Sequence, residues 1–407
     1  MSTTLVIYNP VCGDSTAKKL FTEHVIPLLH KSGKIIPPDN IIETTHLGHA
    51  GEVVLDLLRT QPGEHLSIIL GSGDGTLHEI VSAIQHSTTV TWGKTDITFA
   101  LVPCGTANAL YSSLFPPTST TGEGDPQLTY KLQSVQSFLS SKPTEKPLSL
   151  AVTSTYPASQ SNAKETIKNI PIATSTSVVV ASTALHASIL HDSEALRASI
   201  PTMERFKAAA QQNITHWYSA KVKLLPPPGI DNDVLLYDPR KNEFVKKGSD
   251  VELEGPFAYF LSTVNVDRLE PAFRITPLFT SLVPHRQSLD IVIVRPLRDP
   301  SISGISEEAK GNFAAKSVQV LAQGAYQDGA HIRMRYNEDG SIDTTSDEGS
   351  TVVEYYRCGG WEWVPESTDI QAHLVCIDGE ILHIPKQGKA SCSISETASN
   401  VQFSVFI

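Results

Sequence analysis

An apolar run that leads through a glycine-rich turn directly into a helix constrains the fold of this chain more than any other feature. Residues 68–70 are the apolar run, residues 71–75 are the turn, and an amphipathic helix is predicted from Thr76 onward. Glycine lets a backbone come close to an anion. The N-terminus of a helix directs free N–H groups and the positive end of its dipole toward a phosphate. The segment therefore predicts a strand–turn–helix unit with an anion site at the turn.

The turn carries one carboxylate, Asp74, which cannot itself attract a phosphate group. This side chain must face something else, and the two chemical options are a metal ion and a hydroxyl group that must lose its proton. Beside an anion site, such a carboxylate suggests phosphoryl transfer to an alcohol. The alternative is that Asp74 only caps the helix that begins near Thr76, since aspartate is favoured at the N-cap.

Length and charge limit the classes of protein to which the chain can belong. The chain has 407 residues, of which 40% are hydrophobic, and this length predicts two domains. The formal net charge of −11 argues against binding to nucleic acid, which depends on cations that meet phosphates. It also argues against a purely electrostatic attachment to anionic lipid.

Cysteine usage and hydropathy predict a cytoplasmic protein. The five cysteines form no Cys-x-x-Cys pair, so a reducing compartment is expected rather than a disulfide framework or a zinc site. No apolar run reaches the length of about 18 residues that a membrane span needs. The N-terminal residues lead directly into a strand-like segment, which leaves no room for a signal peptide.

Residues 1–150 are predicted to form a doubly wound α/β domain. Strand-like runs alternate with helical patterns, and ligands of such domains gather at the carboxyl ends of the strands. Three turns follow strand ends, at residues 9–16, 71–76 and 103–108. The predicted strands are residues 5–8, 41–45, 66–70 and 96–102.

Residues 151–407 are predicted to form a second, mostly β domain, because many short strands follow one another. Two helices, at 203–218 and 306–325, are expected to interrupt them, and residues 116–127, 153–170 and 337–350 are expected to be loops. The predicted strands are residues 177–183, 221–225, 234–237, 257–264, 289–294, 331–336, 352–356, 374–377 and 381–384.

Several motifs in this order resemble the diacylglycerol kinase catalytic fold, and within it the branch of sphingosine and ceramide kinases. The resemblance implies an α/β nucleotide-binding domain, similar to that of ATP–NAD kinases, and a C-terminal β-sandwich that binds lipid, with ATP in the cleft between them. The matching segments are residues 9–10, 71–76, 103–110, 191–197, 204–206 and 377–380.

The same resemblance implies roles for individual residues. Asp74 would be the general base that takes the proton from a lipid hydroxyl, Arg197 and Arg205 would contact phosphates, and Asp192 and Phe206 would contact the lipid. Asp378, Gly379 and Glu380 would lie near the triphosphate, with Asp378 and Glu380 as ligands of Mg²⁺. The residues expected to line ATP are Asn9, Pro10, Gly13, Thr44, Gly71, Ser72, Gly73, Gly75, Thr76, Gly105, Thr106 and Asn108.

Four positions depart from the family pattern. Ala107 stands where the family has glycine, which predicts backbone strain if φ is positive there. Asp14 lies in a turn where relatives carry a basic residue or glycine, so it is expected to repel phosphate. Leu190 replaces the aspartate with which sphingosine kinases bind the sphingoid head group. Residues 288–290 replace a longer acidic motif.

The expected function is that of an ATP- and Mg²⁺-dependent lipid kinase that acts on a sphingoid base or a diacylglycerol-type lipid. Its partners would be the lipid and a membrane surface, to which it would bind peripherally, and not nucleic acid. The oligomeric state stays open, with a homodimer among the options. Two alternatives also stay open: an enzyme similar to NAD kinase, and a catalytically weak regulator that binds nucleotide or lipid.

Overall fold

The computed structural model describes residues 3–60, 65–87, 93–117, 125–158, 170–200, 202, 204–229, 232–284, 287–346, 348–395 and 400–407. Two compact units divide the chain. The first unit comprises Met1–Ser149, Arg268–Pro271 and Glu396–Ile407, and the second comprises Leu150–Asp267 and Ala272–Ser395. The chain passes from the first unit to the second between Ser149 and Leu150, next to the domain boundary that the sequence predicted at residue 150. The prediction that the second domain extends to residue 407 is corrected, because the last strand of the chain lies in the first unit.

The N-terminal part of the chain alternates strands and helices. In chain order the elements are β1 (Thr3–Tyr8), α1 (Ala17–Leu20), a π-helical turn (Phe21–Val25), α2 (Ile26–Lys31), a 3-10 turn (Pro38–Asn40), β2 (Ile41–Glu43), α3 (His49–Thr60), β3 (His65–Ser72), α4 (Asp74–Gln85), β4 (Thr95–Pro103), α5 (Ala109–Leu114), α6 (Pro126–Lys131), α7 (Gln133–Leu139) and β5 (Glu145–Pro147).

The remaining elements are mainly short strands. They are β6 (Ala151–Tyr156), β7 (Ala173–Ser177), β8 (Val180–Thr183), α8 (Ala184–Leu196), α9 (Glu204–Asn213), β9 (Ala220–Leu225), β10 (Leu235–Asp238), β11 (Glu243–Lys246), β12 (Val251–Glu254), β13 (Tyr259–Thr263), α10 (Leu278–Ser281), β14 (Leu289–Val294), a 3-10 turn (Pro296–Arg298), α11 (Glu307–Val318), a π-helical turn (Gln319–Ala325), a 3-10 turn (Ala330–Arg333), β15 (Arg335–Tyr336), β16 (Ile342–Asp343), β17 (Glu354–Cys358), β18 (Gly360–Pro365), a 3-10 turn (Ile370–His373), β19 (Leu374–Ile377), β20 (Glu380–His383), β21 (Lys389–Ile394) and β22 (Val401–Phe406).

The sheet of the first unit has the strand order β2-β1-β3-β4-β22-β5. All neighbours are parallel except β22 and β5. The chain leaves β1 toward β2 on one side and later returns to place β3 on the other side of β1. The order therefore reverses between β1 and β3, and such a switch point is where α/β sheets bind ligands. The predicted doubly wound fold is confirmed.

The second unit contains two antiparallel sheets, with orders β11-β10-β17-β14-β13-β8-β19-β20 and β12-β9-β18-β21-β6-β7. They pack on each other through Trp361 and Trp363 of β18, whose rings contact Phe260 of β13 at centroid distances of 5.3 and 5.4 Å. The Trp361 indole also donates to Ser262 Oγ at 2.9 Å. The predicted C-terminal β-sandwich is confirmed, since alternate residues of β18 face the other sheet.

A buried ion pair joins two neighbouring strands of the larger sheet. Asp290 of β14 accepts hydrogen bonds from the Arg357 guanidinium of β17 at 2.6 and 2.8 Å, and from the Tyr355 hydroxyl at 2.6 Å. Asp290 is fully buried. The departure noted at residues 288–290 thus contains a carboxylate that holds the sheet together.

Two predicted elements of the second unit are corrected, and one helix was missed. The strand expected at 177–183 is interrupted between β7 and β8. The helix expected at 203–218 ends at Asn213, and Tyr218 instead pairs with Phe257 through two backbone hydrogen bonds of 2.8 Å. Helix α8 was not predicted, because apolar residues lie on several of its faces and leave no clear amphipathic stripe.

Some predicted loops contain regular structure and others fall partly outside the described residues. The first residues of the loop expected at 153–170 belong to β6, whereas 159–169 are outside the described part of the chain, as are residues 118–124 and Met203. Residues 337–350 contain the short strand β16. Among the helices that the structure describes, none is long and apolar enough to cross a membrane.

Candidate functional site

Three loops meet where the strand order reverses in the first unit. They follow β1, β3 and β4, and backbone hydrogen bonds join them: Asn9 N–H donates to Gly71 O at 2.9 Å, and Cys104 N–H donates to Ser72 O at 3.1 Å. The Cys12 thiol adds a hydrogen bond to the Cys104 carbonyl at 3.3 Å. The predicted turns at 9–16, 71–76 and 103–108 therefore form one continuous surface.

Three of the glycines predicted to line ATP are required by the packing of these loops. A Cβ on Gly105 would overlap the backbone of Gly73, and one on Gly73 would lie 3.0 Å from Gly105 Cα. Gly13 has a φ of +54°, and a Cβ there would overlap the Cys104 carbonyl. Only glycine allows these backbones to approach so closely.

Gly71 and Gly75 belong to the same turn but differ in the space that surrounds them. A Cβ on Gly71 would overlap the ring of Phe21, so this glycine is explained by core packing. A Cβ on Gly75 would meet nothing within 4 Å, and the residue is exposed. The fold therefore gives no steric reason for glycine at position 75, whereas close approach of a ligand would.

The N-terminus of α4 is open toward these loops. Its N-cap is Gly73, which has no side chain to accept a hydrogen bond from the first amides of the helix. The hydroxyls of Ser72 and Thr76 hydrogen-bond to each other at 2.6 Å and are buried beneath the turn. A helix start of this kind offers amide donors and a positive dipole end to an anion.

Asp74 is the first residue of α4, and its carboxylate caps a different helix. Oδ2 accepts from Ala109 N–H at 2.7 Å and Oδ1 accepts from Leu110 N–H at 3.1 Å. The alternative that Asp74 caps its own helix is wrong, because Gly73 is the N-cap. The carboxylate instead joins the turn after β3 to the start of α5.

The strain expected at Ala107 is not present. The left-handed residue of this loop is Asn108, with φ 54° and ψ 52°, and asparagine tolerates that conformation. Its amide group pairs with the backbone of Gly105, accepting from N–H at 2.9 Å and donating to the carbonyl at 2.8 Å. Asn108 thus fixes the shape of the loop.

Other residues predicted to line ATP lie around the same loops. Asn9 Oδ1 accepts from Val11 N–H at 3.1 Å, which closes the turn that contains Pro10. Thr44 is buried and donates its N–H to Tyr8 O at 3.0 Å. Thr106 is exposed at the tip of the third loop.

Asp14 lies in the first loop and carries a negative charge there. Its carboxylate accepts from the Thr16 hydroxyl at 2.6 Å and from Thr16 N–H at 3.1 Å. These hydrogen bonds, the hydroxyl bond above all, lower the pKa of Asp14 below its usual value. The charge noted as a departure is therefore stabilised in the folded chain.

The Cys12 thiol connects two loops, which no sequence pattern indicated. Its Sγ donates to the carbonyls of Asn9 at 3.0 Å and Cys104 at 3.3 Å. Burial raises the pKa of the Cys12 thiol to about 11 and that of Cys104 to about 12. Both cysteines are therefore protonated at neutral pH and act as packing residues.

In the second unit, the two predicted phosphate-binding arginines lie at the end of α8 and the start of α9. Glu194 receives a bidentate ion pair from Arg197, with both N–O distances 2.7 Å. Arg205 is buried, and burial together with the charge of Arg197 lowers its pKa. The two positive charges repel each other, and the Glu194 carboxylate near them balances only one. An additional anion at this place is therefore electrostatically favoured.

The two residues predicted to contact lipid lie on the same pair of helices. Asp192 accepts from His191 Nδ1 and from Asn213 Nδ2, each at 2.7 Å. Phe206 lies under the Arg205 guanidinium, with 4.4 Å between Cζ and the ring centroid. Both carboxylate oxygens of Asp192 are thus already engaged by neighbouring side chains.

Asp378 has a role in the fold that the sequence did not indicate. Its carboxylate accepts three backbone amides, from Val178 at 2.6 Å, Val179 at 3.0 Å and Val180 at 2.7 Å. These amides lie where β7 ends and β8 begins, which explains the interrupted strand. The turn at Asp378 and Gly379 joins β19 to β20 with positive φ at both residues.

The fit of the predicted Mg²⁺ ligands to a metal is poor. The Asp378 oxygens are committed to three amides, and the exposed Glu380 accepts from the Ser175 hydroxyl at 2.5 Å. Among the described residues, no group of three or more acidic, histidine or cysteine side chains could hold a metal ion.

Comparison with known proteins relates the first unit to a family of kinases. Residues 3–136 match the family model of the diacylglycerol kinase catalytic domain. The sphingoid long chain base kinase 5 of Saccharomyces cerevisiae is 31% identical over 105 residues, which are 26% of this chain and 14% of that protein. The mitochondrial acylglycerol kinase of Homo sapiens is 32% identical over 111 residues, which are 27% of this chain and 24% of that protein.

The aligned stretches thus span less than a quarter of the length of these relatives. A solved structure assigned as a diacylglycerol kinase of Bacillus anthracis str. Sterne matches across 100% of this chain and 97% of its own. The sequence identity is 14% and the TM-score is 0.50. This similarity extends to both units and concerns the fold alone.

Proposed function

We propose that this chain, whose residues 3–136 belong to the diacylglycerol kinase catalytic domain family, is an ATP-dependent kinase that phosphorylates a hydroxyl group of a lipid. The acceptor would be a sphingoid base or a lipid of the diacylglycerol type. The single observation that carries the proposal is the start of α4: amides without a side-chain cap, an exposed Gly75 and the Asp74 carboxylate lie together at the switch point of the sheet.

The proposed reaction uses these groups in one displacement. The acceptor hydroxyl oxygen forms a bond to the γ-phosphorus of ATP while the bond to the β-phosphate bridging oxygen breaks, so that ADP leaves. Asp74 accepts the hydroxyl proton, and the amides at Gly75 and Thr76 stabilise charge on the phosphate oxygens. The proton would go to the same carboxylate that accepts the Ala109 and Leu110 amides at 2.7 and 3.1 Å.

Arg197 and Arg205 stay proposed as phosphate-binding residues, as the family resemblance implies. The contact would require Arg197 to exchange its exposed partner Glu194 for phosphate. Such an exchange is energetically accessible because exposed ion pairs contribute only about 0.2–1 kcal/mol. The guanidinium fork then matches phosphate oxygens in the same bidentate manner.

The class of acceptor lipid is proposed from the relatives and from one side chain. The relatives are named for a sphingoid base and for acylglycerol as substrates, which supports both classes. At position 190 the chain has leucine, packed against a buried cluster that contains Ala187 and Leu374. A sphingoid amine would therefore need another carboxylate, and Asp192 is already paired on both oxygens. An acylglycerol has no amine and therefore needs no such carboxylate.

A screen for phosphate transfer tests the proposal. The full chain is incubated with γ-labelled ATP and Mg²⁺, and with sphingosine, ceramide, diacylglycerol, monoacylglycerol or NAD. We expect label in a lipid product. Label in NAD alone would instead identify an NAD kinase, and saturable ATP binding without transfer to any acceptor would identify a nucleotide-binding regulator.

Replacing two glycines of the same turn separates core packing from ligand contact. Gly71→Ala is expected to destabilise the fold by about 1–3 kcal/mol, because the added methyl group overlaps Phe21. Gly75→Ala adds its methyl group in open space, and within a helix it stabilises by up to about 1 kcal/mol. Thermal unfolding of both variants measures these effects.

The Gly75→Ala variant also tests whether a phosphate binds at this turn. Gly75→Ala is expected to weaken ATP binding about tenfold, because the methyl group occupies the space of the phosphate. A fluorescent ATP analogue measures this affinity without lipid. Wild-type affinity in Gly75→Ala would contradict a phosphate at this turn.

A further inference from the structure

The start of α5 is capped by a side chain from another part of the chain. The residue at its N-cap, Asn108, does not cap the helix with its side chain, which pairs with Gly105 instead. The amides of Ala109 and Leu110 are bound by Asp74. Helix starts need such acceptors because their first amides have no partner within the helix, and here the acceptor comes from the neighbouring glycine turn.

These two hydrogen bonds join the loops that follow β3 and β4, whose backbones are in contact. A Cβ on Gly105 would overlap Gly73, the residue immediately before Asp74. The contact between the glycines brings the loops together but provides only van der Waals attraction. The bonds from the carboxylate to two amides are charge-assisted and are the stronger connection between the same loops.

We infer that Asp74 is a positioning residue in addition to the base proposed above, and that its carboxylate holds the loop 104–108 in the conformation that binds nucleotide. The functional consequence of this inference, which is assembly of the nucleotide site, rests on the proposed function. The capping itself depends only on the geometry of the first unit. One carboxylate thus couples formation of the site to removal of the proton.

Substitutions at position 74 differ in how much of the cap they keep. Asparagine offers one acceptor oxygen, and its NH₂ group faces the second amide, so one of the two hydrogen bonds is lost. Alanine offers none, and both amides lose their acceptor. The nucleotide-binding loop is therefore expected to loosen in the order wild type, Asp74→Asn, Asp74→Ala.

A variant of Asn108 loosens the same loop without changing the carboxylate. Asn108→Gly keeps the left-handed backbone, which glycine adopts without strain. It removes only the two hydrogen bonds to Gly105. Asn108→Gly is expected to weaken ATP binding about fivefold and to accelerate exchange of the Gly105 amide, with the Asp74 cap still in place.

Hydrogen exchange of the ligand-free full chain tests the inference directly. The Ala109 and Leu110 amides are expected to exchange about tenfold faster in Asp74→Ala and about threefold faster in Asp74→Asn than in the wild type. Binding of a fluorescent ATP analogue without lipid is expected to weaken in the same order, about tenfold and about threefold.

The outcomes separate this inference from the proposed function. Unchanged exchange and unchanged ATP affinity in both Asp74 variants, with phosphate transfer lost, would overturn the positioning role and leave the base in place. A wild-type chain that phosphorylates no lipid would overturn the proposed function, while the exchange rates would still decide the capping role. If Asp74→Ala does not fold, the comparison of Asp74→Asn with wild type decides, because asparagine preserves the volume of the side chain.

Discussion

Asp74→Asn is expected to lower the rate of phosphate transfer to lipid by about 10²–10⁴-fold at saturating ATP. The amide has no lone pair basic enough to take the proton of an alcohol, although it keeps one of the hydrogen bonds to the start of α5. The loss should therefore fall mainly on kcat, with only the roughly threefold weakening of ATP binding expected from the lost cap. Initial rates with labelled ATP and the preferred lipid measure it.

A neighbouring carboxylate provides the matched control. Asp14 lies in the adjacent loop, is exposed, and is held by Thr16. Asp14→Asn removes the same unit of charge and is expected to change the transfer rate by no more than about threefold, since exposed charges are screened by solvent and salt. Equal losses in both variants, or full activity in Asp74→Asn, would exclude Asp74 as the base.

Asp378→Ala is expected to lower the free energy of unfolding of the second unit by about 3–5 kcal/mol. The substitution leaves the amides of Val178, Val179 and Val180 without this acceptor in a buried position, and each released donor costs about 1–3 kcal/mol. Urea unfolding followed by tryptophan fluorescence measures the effect, because Trp217, Trp361 and Trp363 all belong to this unit.

Glu380→Ala is the matched control for this prediction. Glu380 is exposed and accepts a hydrogen bond from Ser175, so its loss should cost about 1 kcal/mol or less. If Asp378→Ala unfolded like the wild type but needed a much higher Mg²⁺ concentration for activity, the residue would be a metal ligand and its structural role would be rejected.

The architecture was largely predictable because it depends on repeated local patterns. Buried apolar runs that alternate with amphipathic helices identified the parallel sheet, and closely spaced short strands identified the β-sandwich. The final strand could not be assigned from its pattern, since β22 resembles any other strand and only its pairing with β4 places it in the first unit. Helix α8 was not predicted because a largely buried helix lacks an amphipathic stripe.

The candidate site was predictable at the level of loops but not of individual contacts. Carboxyl ends of parallel strands meet at one edge, so the convergence of three turns followed from the strand predictions. The different roles of Gly71 and Gly75 could not be predicted, because they depend on whether Phe21 or open space faces the glycine. The partners of Asp74 and Asp378 are backbone amides far along the chain, and no sequence motif marks such acceptors.

The proposed function requires the phosphates of ATP to bind at the start of α4 beside Asp74. A crystal structure of the full chain with a non-hydrolysable ATP analogue shows whether they do. We expect phosphate oxygens within hydrogen-bond distance of the Gly75 and Thr76 amides, with the Asp74 carboxylate next to the γ-phosphate and still hydrogen-bonded to Ala109. An analogue bound elsewhere in the chain, with the start of α4 free of phosphate, would rule out this site.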